Sequence, residues 1–106
     1  MKYVIDIDGT ICKSFTDYES SIPIINRIKK INTFYDNGDT IIYFTARGMG
    51  RCGDDPVLAD TMFRELTELQ LLQWGCKYHQ LILGKPSADV YIDDRAVKDT
   101  DFFGDL

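Results

Sequence analysis

Histidine is nearly absent from this sequence, proline is sparse, and no apolar run is long. The single histidine, His79, precedes an apolar run remote from the acidic motifs described below, which argues against histidine-based chemistry. Cys12, Cys52 and Cys76 are an odd set without metal-finger spacing, so neither a disulfide framework nor a zinc site is expected. A cysteine phosphatase would want a Cys-x5-Arg cradle, and Cys12 is followed by Asp17 in that region rather than arginine. No stretch approaches the roughly 20 apolar residues that span a bilayer. Met1 to Ile5 runs straight into Asp6 and Asp8 without a leader pattern. A reduced, cytoplasmic setting with no membrane partner is expected. Positive charge is also short: 12 Lys and Arg face 17 Asp and Glu, for a net charge of -5. That balance argues against a large nucleic-acid footprint, whose affinity rests on basic residues, and leaves a single terminal phosphate open as a substrate.

What is present suits one domain spanning 1–106. Lys2 to Ile7 reads as a buried strand. Residues 11–21 are a polar excursion. From Ile22, apolar residues at Ile24, Ile28 and Ile31 recur at helical spacing, with Ser20 or Ser21 as N-cap, Pro23 in the first turn and Asn37-Gly38 as the stop. Thr40 to Thr45 is a second strand, followed by a glycine-rich loop over 46–53. Asp54 or Asp55 caps a second helix at Pro56, with Leu58, Met62, Leu66 and Leu69 as its apolar stripe. Leu81–Leu83 and Val90–Ile92 are read as strands three and four, and Phe102-Phe103 as a short turn on the core. This alternation predicts an α/β fold. It would be small and Rossmann-like, with a mainly parallel sheet and helices on both faces.

In such sheets ligands bind beyond the carboxyl ends of the strands, and the chemistry-bearing residues fall there. Asp6 and Asp8 follow strand one, two acids separated by one apolar residue. A carboxylate can attack phosphorus, and a second can protonate the leaving group and then deprotonate water. Gly9 allows a sharp turn or close ligand approach. The bland alternative is a capped turn. Asp93-Asp94 closes strand four, and adjacent acids repel unless a cation sits with them. Four carboxylates at one sheet end would suit Mg²⁺. Lys85 supplies fixed positive charge. Thr45 offers a hydroxyl and a backbone N–H at the start of a loop able to form an anion nest. Gly9, Thr10, Thr45, Ala46, Arg47 and Lys85 are the candidate phosphate contacts. Arg51, deeper in the loop, is a candidate for a second anionic group, and Phe15 and Tyr18 for contact with the leaving group.

Asp6-Ile7-Asp8-Gly9-Thr10, Thr45-Ala46-Arg47, Lys85 and Ile92-Asp93-Asp94 together resemble the four ordered motifs of the haloacid dehalogenase superfamily, over roughly residues 2–95. The resemblance implies Asp6 as nucleophile and Mg²⁺ ligand. It implies Asp8 as general acid/base with its carbonyl on the metal, Thr45 and Lys85 on the phosphoryl group, and Asp93 as a Mg²⁺ ligand. Asp94 would act through water or support Lys85. An aspartate at position 8 is the phosphatase pattern. The short connections after Thr10 and Leu83 leave no room for a cap domain, and the usual fifth core strand is not apparent. The chain thus resembles capless phosphatases of capsule and surface-polysaccharide synthesis. A sugar phosphate is the first substrate expectation, and a nucleotide or nucleic-acid end the second.

A receiver-type phosphoacceptor domain is the nearest rival, but it wants an adjacent acid pair after strand one and an aspartate after strand three. A non-catalytic module would not need every motif residue. A mutase or phosphotransferase usually needs a cap to exclude water. An open pocket without a cap also suggests a homo-oligomer, or a bulky substrate, as cover.

Overall fold

The computed structural model describes residues 1–105. Its elements are β1 (Lys2–Ile5), β2 (Cys12–Lys13), β3 (Ile22–Pro23), α1 (Ile25–Asp36), β4 (Thr40–Thr45), α2 (Pro56–Gln73), β5 (Gln80–Leu83) and α3 (Asp99–Phe103). Strands β1, β4 and β5 form a parallel sheet in that order, and β2 pairs antiparallel with β3 in a small ribbon. The α/β class, the parallel sheet and the lack of any cap-like domain agree with the sequence pattern. No described helix is long and apolar enough to cross a membrane.

Register fixes which side chains share a face. Ile5 lies opposite Tyr43, and Tyr43 opposite Leu81, so odd-numbered strand residues point one way. They form the core with Ile28 and Ile31 of α1 and Phe63 and Leu71 of α2. Both crossovers step in the same direction, so right-handed connections put α1 and α2 on one face. The even-numbered residues Val4, Ile42, Phe44 and Ile82 face the other way, and Val4 is exposed.

The expected helices on both faces are therefore not seen. The reason lies at the expected fourth strand. Val90, Tyr91 and Ile92 form no strand and are 70%, 49% and 95% exposed. Three apolar residues between Asp89 and Asp93-Asp94 offer few ladder bonds and little area to bury. Without that strand no crossover returns over the second face.

The helix starts follow local chemistry. In α2, Asp55 accepts from the backbone N–H groups of Val57 and Leu58, and Pro56 occupies the first turn, as expected. In α1 the cap is Ile24, with no side-chain bond, and Pro23 lies in β3 rather than in the helix. The ribbon with β2 holds 22–23 extended, and Ser21 is drawn into a hydroxyl contact with Ser14 instead of capping. Gly38, at φ 95°, stops α1 where Asn37-Gly38 was expected to. Short α3 packs Phe102 on Tyr3 and Phe34. Buried Arg27 ties it down, donating to Asp99, Asp105 and the carbonyl of Thr10.

The buried face of α2 differs from the expected stripe. Ala59, Phe63, Thr67, Gln70 and Leu71 are buried, whereas Leu58, Met62 and Leu69 are about half exposed. The helix turns two polar side chains inward, and both meet a buried arginine.

Candidate active site

A cavity of about 390 Å³ opens at the carboxyl ends of the three parallel strands. Asp6, Asp8, Thr45, Ala46, Arg47 and Lys85 line it, all singled out from the sequence. Tyr18, Gly50 and Arg51 line it from the two flanking loops, and Ser87, Ala88 and Tyr91 from the segment after Lys85. A second hollow, lined by Pro56, Val57, Asp60 and Thr61, gathers no comparable chemistry.

Asp6 directly follows β1 and lines the cavity. Its Oδ2 accepts from the Thr10 hydroxyl at 3.2 Å, and Lys85 Nζ stands 3.6 Å from Oδ1. Burial pushes the Asp6 carboxyl above its usual 3.8. Lys85, the Ile7 backbone N–H and Thr10 pull it back, and the charge on Asp8 adds a smaller upward push. Lys85 reaches this place because Gly84, at φ 95°, turns the chain hard against α2. A β-carbon there would lie 2.7 Å from that of Pro56. The Lys85 backbone N–H then donates to the Thr45 carbonyl at 3.1 Å. The Tyr91 ring lies over the ammonium, 4.2 Å from its centroid.

Asp8 has a different partner. Arg47 donates Nε to Asp8 Oδ2 and Nη2 to Oδ1, both at 3.0 Å. Oδ1 also accepts from the Ser14 hydroxyl. The guanidinium is fully buried. Its Nη1 donates to Gln70 Oε1 and, at 3.3 Å, to Thr67 Oγ1, and its Cζ lies 5.0 Å from the Tyr18 ring centroid. Arg47 is thus committed to Asp8 and α2, which corrects the expectation of a phosphate contact. The inward polar face of α2 exists to satisfy it, since a buried guanidinium demands hydrogen-bond partners. Glutamine and threonine amid leucines had given no periodic signal of that.

Thr45 is buried and its Oγ1 accepts from the Arg47 backbone N–H at 3.1 Å, leaving its hydroxyl hydrogen to be donated elsewhere. Tyr18 pins the loop beside it, its hydroxyl accepting from Gly48 N–H at 3.1 Å. Gly48 has φ 78°, and a β-carbon there would strike the Phe63 ring at 2.4 Å. Phe15 is exposed and does not line the cavity.

Three further expectations are not met. The N–H groups of Gly9 and Thr10 donate to Cys12 and Ile7 carbonyls, closing the turn instead of facing a phosphate. Asp93 and Asp94 do not line the cavity and are exposed. Asp93 accepts from the Arg95 backbone N–H at 2.9 Å, which holds its carboxyl below the ordinary value. The four-carboxylate cluster therefore does not form, because the strand meant to carry Asp93 does not. Among the described residues no group of three or more acids, histidines or cysteines is placed to hold a metal. With Asp93 outside the cavity and its carboxyl turned to the Arg95 backbone N–H, the carboxylate donors as arranged do not fit Mg²⁺.

No family model matches the chain, and no curated protein does. Among solved structures, the chain is similar to the crystal structure of an MCSG target from Vibrio cholerae. The TM-score is 0.89 at 26% identity, over 96% of this chain and 86% of that one. The likeness shows a small α/β fold.

Proposed function

We propose that the chain is a phosphomonoester hydrolase that works through an aspartyl-phosphate on Asp6. The observation that carries this reading is the pairing of each cavity acid with its own cation: Asp6 with Lys85, Asp8 with Arg47. Lys85 offsets the charge that would otherwise repel an incoming phosphate dianion, and Thr45 has a hydroxyl hydrogen to give a phosphoryl oxygen. A carboxylate oxygen of Asp6 attacks phosphorus, the bond to the leaving oxygen breaks, and that oxygen takes a proton from Asp8, which enters this step as the carboxylic acid with its proton on Oδ2. Water then attacks phosphorus, returns a proton to Asp8 and frees the Asp6 carboxylate with inorganic phosphate. Arg47 and Ser14 hold Asp8 mainly by Oδ1, and Oδ2, with Arg47 alone, keeps a lone pair for these transfers.

The motif resemblance supports a member of the haloacid dehalogenase superfamily without a cap, acting in the cytoplasm on a sugar phosphate. Magnesium is the cofactor that resemblance implies. The donor set as it stands does not hold it. The half-exposed apolar residues of α2, Leu58, Met62 and Leu69, support association of copies, which light scattering against concentration measures. A screen of purified protein against a panel of phosphomonoesters, with and without magnesium, tests the main reading. Release of phosphate by wild type and not by Asp6→Asn is expected. No turnover on any substrate sinks it.

A further inference from the structure

One cation at the cavity has no carboxylate partner among the described residues. Among the described residues, the arginine ion pairs are those of Arg27, Arg47 and Arg64. Lys85 is matched to Asp6. Arg51 lines the same cavity, is exposed, and has no carboxylate within ion-pair distance. Of the two arginines without an ion pair among the described residues, Arg95 lies outside the cavity and Arg51 lines it.

Its backbone is also held in place. Met49 is buried and its N–H donates to the Ala46 carbonyl at 2.9 Å; Cys52 N–H donates to Gly48 at 2.8 Å and Asp54 N–H to Met49 at 2.7 Å. The Gly48 contact to Tyr18 anchors the other side. The loop thus presents Arg51 from a fixed turn, so less entropy is lost when the guanidinium engages a ligand. Asp6, Thr45 and Lys85 lie together in the cavity as the phosphoryl group's partners. Arg51 lines the same cavity from the flanking loop.

We infer that Arg51 forms a second anion subsite, and that the preferred substrates are phosphomonoesters whose leaving group carries another negative charge, a carboxylate or a second phosphate. This rests on the hydrolase reading for the position of the first phosphate. A planar guanidinium binds either anion through paired N–H donors.

The test compares glucose 6-phosphate, 6-phosphogluconate and glucose 1,6-bisphosphate. The expected kcat/KM for at least one of the two acidic substrates exceeds that of glucose 6-phosphate about tenfold, the low end of what a hydrogen bond to a charged group contributes. Which of the two gains tells carboxylate from phosphate. In Arg51→Gln the ratio falls to near one, and in Arg51→Lys it lies between. A ratio near one in wild type, or a ratio unchanged in Arg51→Gln, overturns the inference. Calorimetry of the same ligands on Asp6→Asn protein separates binding from turnover. If nothing is hydrolysed yet the acidic ligands bind more tightly, and Arg51→Gln abolishes that margin, the subsite stands while the catalytic reading falls. Equal binding of all three removes the subsite.

Discussion

Two pairs of acids follow apolar runs in this chain, and the structure treats them oppositely. Asp6 and Asp8 lie in a cavity, each beside its own cation. Asp93 and Asp94 lie in solvent, with a backbone N–H as the nearest partner of Asp93. The apolar run before Asp6 is locked into the sheet by four register pairs with β4, whereas the run before Asp93 has no ladder at all. An acid pair becomes a site when the strand before it is buried and other strands deliver cations to the same end. Lys85 follows β5 and Arg47 follows β4.

The largest effect that sharpens this contrast is on turnover. Asp6→Asn should lower kcat by about 10³-fold or more, as loss of an attacking group does elsewhere. The same substitution should raise the melting temperature at pH 7. The sign follows from the raised Asp6 carboxyl. Its folded form holds the proton more tightly than the unfolded chain, so the stability it contributes is present below about pH 3.8 and is lost as pH rises through the folded value. Asparagine removes that loss. Calorimetric scans should show the advantage at pH 7 and none near pH 3.

Next in size is the Arg47 bridge. Arg47→Ala should cost about 3 kcal/mol by urea denaturation, because Asp8 then faces the cavity without its guanidinium and Gln70 and Thr67 lose a buried donor. If Arg47 were instead a phosphate contact, stability would barely change and KM alone would rise. The double variant Arg47→Ala, Asp8→Ala should recover part of the loss, which a cycle of denaturation curves reads directly.

A smaller effect is expected at Lys85. Removing the opposing charge in Lys85→Met should move the acid limb of the kcat/KM profile to higher pH, since Lys85 now holds the Asp6 carboxyl down against burial. An unmoved limb would mean that the limb belongs to another group.

The smallest effects belong to the exposed pair. Asp93→Asn and Asp94→Asn should change stability by less than about 0.5 kcal/mol, as surface substitutions do. The magnesium concentration giving half-maximal activity, if magnesium acts at all, should also stay put in Asp93→Asn. A large shift would mean that the Asp93 carboxylate joins the cavity.

How far the sequence reveals these things depends on whether the signal is local. The β4 strand and the α2 cap at Asp55-Pro56 were legible because their chemistry is contained in a few consecutive residues. The cavity lining at Asp6, Asp8, Thr45, Ala46, Arg47 and Lys85 was legible through strand-end placement. The buried face of α2 was not, since Thr67 and Gln70 are recruited by an arginine 20 and 23 residues away. Nor was Tyr91, which meets Lys85 through a segment whose apolar pattern suggested a strand. Pattern reading cannot tell a run that finds a neighbouring strand from one that does not.

The central claim is that the Asp6 carboxylate receives the phosphoryl group. Wild-type protein mixed with a ³²P-labelled phosphomonoester, quenched in acid within one turnover and digested, should yield one labelled peptide, the one containing Asp6. The label should be released by hydroxylamine and be absent from Asp6→Asn. Label on any other peptide, or full turnover in Asp6→Asn, would contradict the account.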